Sequence, residues 1–146
     1  MKRVTKASTC LFAIMIFIQL FPYRGDNPLE GAPLSAPAGV EKILRQSCYD
    51  CHSNTTVWPW YSRVAPVSWF VVHHVKEGRE HLNFSGWNNL SHKDQAEALD
   101  EIREQIEEGE MPLSTYVLGH PEAALSPQEK TELLDWAKAT GGELHH

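Results

Sequence analysis

The sequence reads as an all-α chain: a small helical domain preceded by an apolar N-terminal helix. Two observations carry this. Apolar residues recur at helical spacing in several stretches, as in Val40, Ile43 and Leu44, then Ala98, Ile102 and Ile106, then Leu133, Leu134, Trp136 and Ala137. Start and stop residues bracket those stretches: Ser91 and Ser126 as caps, Gly109 and Gly141-Gly142 as ends. A length of 146 residues allows one domain and a leader, and 42% hydrophobic residues allow a modest core.

Residues 1–24 have the pattern of an export or anchor segment. Lys2, Arg3 and Lys6 form a basic start, and Thr9 to Phe21 carries no charge. Extended from Ala7 to Tyr23, the apolar run just reaches the about 17–25 residues of a membrane span. A cleaved signal peptide suits the core length, but Pro22, Tyr23, Arg24, Gly25 and Asp26 make a poor cleavage site. The reading therefore favours an uncleaved transmembrane anchor, with a soluble exported form after cleavage as the alternative. The basic flank stays in the cytoplasm and the body is exported. Cys10 opens the apolar run and reads as a lipid-facing side chain. Residues 25–38, rich in Pro, Gly and Ala, have linker composition.

The domain is expected over residues 39–142, with a tail at 143–146. Its first helix runs from Val40 to His52, with Glu41, Lys42 and Arg45 opposite the apolar stripe. Ser53 to Pro66 is a loop holding Trp58-Pro59-Trp60-Tyr61, where proline blocks a regular helix. Pro66 to Glu80 forms a second helix with proline in its first turn. Asn83 to Leu90 reads as a polar loop around Trp87. Helix three starts behind Ser91 with Asp94 three residues on, and Gly109 stops it. Ser114 to Leu125 is a loop. Ser126-Pro127-Gln128-Glu129 is a full helix start, and the last helix runs to about Thr140.

The chemistry concentrates in Cys48-Tyr49-Asp50-Cys51-His52. Cysteines three apart share one face of a helical turn. There each thiol can add across one vinyl group of a single porphyrin edge, and the following imidazole can turn beneath the ring as an iron ligand. This is the attachment signature of c-type haem. A thioredoxin-type dithiol needs a β-α-β setting, which the flanking sequence lacks. Zinc wants four ligands; no second Cys-x-x-Cys exists, so His73 and His74 would have to complete such a site. A chance disulfide or a pair of free thiols is the remaining reading. Three cysteines are too few for a disulfide scaffold.

Met111 is the only methionine outside the leader, and Pro112 follows it in a loop after a helix. Proline restricts that loop, which suits holding a thioether sulfur at the iron. The rival ligands are His73, His74 and His81. Arg63 is a weak candidate for pairing with a propionate.

The order of elements resembles a small class I cytochrome c. More specifically it resembles the bacterial haem-binding domain family of anchored single-haem proteins. Five stretches carry the resemblance: Cys48-Tyr49-Asp50-Cys51-His52-Ser53-Asn54, Trp58-Pro59-Trp60-Tyr61, Ala65 to Gly78, Glu108-Gly109-Glu110-Met111-Pro112-Leu113, and His120-Pro121-Glu122-Ala123. It covers about residues 39–140. The resemblance implies one covalent haem c on Cys48 and Cys51, with His52 as iron ligand. Met111 falls where the family's Met-Pro stands. The expected function is single-electron transfer on the periplasmic side of the bacterial inner membrane, rather than enzymatic catalysis. A haem sensor or peroxidase-like enzyme with an open sixth iron site is the alternative.

The formal charge of −6 is uneven. Lys2, Arg3, Lys6 and Arg24 put four positive charges on the first 24 residues, leaving −10 on the remainder. An acidic body argues against nucleic acid and suits a basic redox partner protein. Contact with the membrane is assigned to the N-terminal segment.

Overall fold

A computed structural model describes residues 2–29 and 31–144, with side chains from Lys6 onward. Residues 145 and 146, half of the expected tail, lie outside the described residues. All regular structure among the described residues is helical. The α-helices are α1 (Lys2–Ile18), α2 (Ala38–Ser47), α3 (Tyr49–His52), α4 (Val67–His81), α5 (His92–Glu108), α6 (Ser114–Gly119) and α7 (Pro127–Leu144).

The core forms where the apolar stripes of α2, α5 and α7 meet. Val40, Ile43, Leu44, Leu99, Ile106, Leu133 and Ala137 are buried in it. α5 and α7 pack along their lengths, and α2 lies across α7. The helix starts behave as their residues demand. The Ser91 hydroxyl accepts the Asp94 N–H at 3.2 Å. Ser126 and Glu129 form a reciprocal box: the Ser126 hydroxyl accepts from the Glu129 N–H, and the Glu129 carboxylate accepts from the Ser126 N–H at 2.8 Å. Gly109 closes α5 with φ 77°, a left-handed conformation that favours glycine.

α7 does not stop at Gly141-Gly142. It continues to Leu144 because Gly141 is buried at the crossing with Leu99, whose side chain would touch a Cβ there at 3.8 Å. Close packing outweighs the poor helix propensity of glycine. The expected first helix is also divided. Cys48 leaves the helical path at φ −125°, so the motif occupies the short helix α3.

The proline-rich stretch expected to be a linker is bound to the body as an extended strap. Gly31 N–H donates to Ser85 O and Leu34 N–H to Phe84 O at 2.8 Å, while Asn88 N–H donates to Ala32 O. Leu34 enters the core beside Phe84 and Trp87. The expected polar loop around Trp87 is thus a 3-10 helix, Phe84–Asn89, that buries Phe84, Ser85 and Trp87. Composition signalled the lack of helix in residues 25–38, but the backbone donors of an extended chain found partners in that 3-10 helix.

The expected transmembrane anchor needs correction. α1 ends at Ile18, short of the 7–23 span, and among the described residues no helix is long and apolar enough to cross a membrane. Beyond Ile18 the chain turns to the body: Gln19 Nε2 donates to Ala65 O at 2.9 Å, and its Oε1 accepts the Ala65 N–H. Trp69 Nε1 donates to Phe21 O. The apolar side chains of this segment, among them Leu11, Phe12, Phe17 and Leu20, remain exposed.

Candidate haem site

The Cys-x-x-Cys-His motif sits on α3, wedged between α2 and α4. Cys51 N–H and His52 N–H both donate to Cys48 O, at 3.1 and 2.9 Å, which brings the two cysteines onto one turn. Neither thiol is in a disulfide. Burial, with the neighbouring Cys51, pushes the Cys48 thiol up to about 12. Burial and the Asp50 carboxylate push Cys51 up to about 11. Both are therefore protonated near neutral pH, whereas a redox dithiol works through a thiolate.

His52 Nδ1 donates to Leu82 O at 3.1 Å. A carbonyl only accepts, so Nδ1 carries the proton in this bond, and the Gly78 carbonyl is a second backbone acceptor at the ring. Burial lowers the pKa of His52 below the ordinary histidine value, which holds the ring neutral. Phe84 packs edge-on against it, with centroids 6.4 Å apart. The result is an oriented, neutral imidazole, as a metal ligand needs to be.

α4 approaches this close because of Gly78. A Cβ there would lie 2.7 Å from Cys51 O and 3.2 Å from Cys51 Cβ. One residue on, Arg79 binds the loop that leaves the motif. It donates to Ser53 O at 2.7 Å, to Thr56 Oγ1 at 2.8 Å, and to Asp26 O at 2.9 Å in the N-terminal segment. Nothing in the sequence marks Arg79, since its role depends on three chain segments meeting.

Met111 is half-buried where α5 ends, its N–H bonded to Gln105 O at 3.2 Å. The stretch after it, expected to be a loop, forms α6 and returns to the motif. There the Tyr116 hydroxyl donates to Asp50 Oδ2 at 2.7 Å. The chain thus brings Cys48, Cys51 and His52 together and docks the segment following Met111 against them.

The rival histidines are engaged elsewhere. His73 is exposed and pairs with Glu77 at 3.3 Å. His74 lies against Phe70 and bonds to the Phe70 carbonyl of its own helix. His81 is exposed at the end of α4, next to Leu82 in the chain. Arg63 lines a cleft of about 370 Å³ with Arg24, Gly25, Trp58 and Ser62. The zinc alternative finds no support: among the described residues no group of three or more His, Cys, Asp or Glu side chains could hold a metal ion.

Two thiols on one turn beside an oriented imidazole are groups that could hold a haem. The decisive comparison agrees with that chemistry: residues 13–139 match the family model of the haem-binding domain. The chain belongs to the haem-binding domain family. No curated protein and no solved structure matches it. The matched range runs from the apolar segment into α7, so this haem-binding domain includes the strap as well as the helical body.

Proposed function

We propose that this haem-binding domain is a c-type electron carrier with one haem held covalently by Cys48 and Cys51. The observation that carries the reading is the pairing of free thiols on one turn with His52, whose Nδ1 is committed to Leu82 O. When bound, the haem supplies an iron that exchanges single electrons between ferrous and ferric states. The protein's part is to attach, ligate and shield. His52 would offer a ring nitrogen to the iron, and its bond to Leu82 O fixes the ring's orientation. Met111 would offer its thioether sulfur as a second ligand. Trp60, Val57 and Leu118, exposed at 77%, 75% and 86%, are apolar side chains that a porphyrin could cover. Val57 is bonded to Asp50, Trp60 stacks edge-on with Tyr61, and Leu118 lies on α6 beside Tyr116.

The same reading places the body on the periplasmic side of the bacterial inner membrane. The exposed apolar side chains of the N-terminal segment are its membrane contact, and a basic protein is its redox partner. A soluble periplasmic form after cleavage is the alternative.

A thioether is a neutral, soft ligand that favours ferrous iron. The unmutated ferrous protein is expected to bind carbon monoxide slowly, and the ferric protein to show a weak far-red sulfur-to-iron band. Met111→Ala should abolish the band, lower the reduction potential and open the iron to carbon monoxide. An unchanged six-coordinate spectrum in Met111→Ala would remove Met111 as ligand. Fast carbon monoxide binding by the unmutated protein would favour a sensor or peroxidase-like function instead.

A further inference from the structure

Asp50 lies between the two cysteines but has no part in attachment chemistry, and yet both of its carboxylate oxygens are engaged. Oδ1 accepts the Val57 N–H at 2.8 Å, and Oδ2 accepts the Tyr116 hydroxyl at 2.7 Å. The Tyr116 ring stacks on His120 with centroids 4.4 Å apart and planes 17° from parallel. His120 Nε2 lies 2.6 Å from the Tyr61 hydroxyl, and Nδ1 lies 3.4 Å from the Glu122 carboxylate. The Gln46 side chain donates to Glu122 O. This side-chain chain joins the motif, the loop that follows it, and the segment from α6 through Glu122.

Met111 lies between two fixed points. On one side, the N–H groups of Glu110 and Met111 are held by Gln105 O at the end of α5. On the other, five residues on, is Tyr116. We propose that Tyr116, with Asp50, His120 and Tyr61, is a latch that positions Met111 at the iron. This rests on the reading of Met111 as ligand. The latch touches neither iron nor sulfur. It acts by holding α6 against the motif turn, so that the residues between Gln105 and Tyr116 cannot swing away. Tyr116→Phe keeps the ring and its stacking on His120 and removes only the hydroxyl. The bond lost is one to a charged acceptor, so closure of the segment should weaken by roughly tenfold or more.

The test is carbon monoxide association with the ferrous holoprotein, read beside the ferric far-red band and the reduction potential. Tyr116→Phe is expected to raise the association rate roughly tenfold or more, weaken the band and lower the potential, with covalent haem content unchanged. Tyr61→Phe, one step further along the chain, should move all three readouts the same way by less, and it serves if Tyr116→Phe does not fold. Thr115→Ala, at an exposed position on α6, should leave them at parent values. Met111→Ala run in parallel separates the two claims. If Met111→Ala opens the iron but Tyr116→Phe and Tyr61→Phe behave as the parent, the latch is overturned and the ligand stands. If Met111→Ala changes nothing, both fall.

Discussion

The Cys48→Ala, Cys51→Ala double variant is expected to lose all haem during acid-acetone extraction and to show no haem-stained band after denaturing electrophoresis. Thioether bonds would be the only attachment to survive denaturation, because ligation by His52 would depend on the fold. Each single variant should keep one thioether and hence a stained band of lower intensity. The thiols cannot be exchanged for polar residues at no cost, since both are buried in surroundings that disfavour charge. Alanine keeps the helix and removes the sulfur, so loss of haem would report on attachment. A covalent haem band persisting in the double variant would refute it.

The second large effect is expected at Gly78. In an open helix position, Gly→Ala stabilises by about 1 kcal/mol through helix propensity. Gly142 in α7, with open space around its missing Cβ, should follow that rule. At Gly78 the sign should reverse. The new methyl would fall 2.7 Å from the Cys51 carbonyl oxygen, which is backbone and cannot rotate away. Separating α4 from α3 would also lengthen the His52–Leu82 bond, and overpacking of this kind costs about 1–3 kcal/mol. Gly78→Val adds a branched side chain at the same contact and should cost more, a large share of the roughly 5–15 kcal/mol that holds a typical domain together. Urea unfolding of the holoproteins, with haem content per polypeptide, checks this. Gly78→Ala at or above parent stability would mean that α3 and α4 do not need this close approach.

Much of the fold was legible because it rests on local signals. The Ser91 and Ser126 caps, the αL glycine at 109, and the stripes of α2, α5 and α7 each depend on residues within a few positions of one another. The misreadings arose where distant segments decide. Gly141 reads as a stop until Leu99 is seen packing on it. Residues 25–38 read as a linker because proline and glycine exclude helix, and nothing local reveals that Phe84–Asn89 supplies hydrogen-bond partners. Phe84 and Trp87 were placed in a polar loop because Asn and Ser surround them; their burial at 1% and 3% comes from Leu34 and Tyr49. The apolar leader exceeded the length of helix it forms, because Gln19 binds Ala65 instead of continuing α1.

The site divided along the same line. Cys48, Cys51 and His52 are adjacent in sequence, and their chemistry is readable from spacing alone. Tyr116, His120 and Arg79 are not, since each acts on residues at least 23 positions away: Tyr116 on Asp50, His120 on Tyr61, Arg79 on Ser53, Thr56 and Asp26. In the sequence His120 stands only as half of a His-Pro pair. A tyrosine five residues before Pro121 carries no signal until α6 is folded back onto the motif.

The central claim is a covalent bond, and intact mass reports on it directly. The protein is produced in a bacterial host with its haem-attachment machinery, denatured, and weighed as the whole polypeptide. The expected mass is that of the polypeptide plus one haem, with no free haem released. A polypeptide mass without that addition, from a preparation that was red before denaturation, would show haem held by ligation alone and contradict attachment through Cys48 and Cys51.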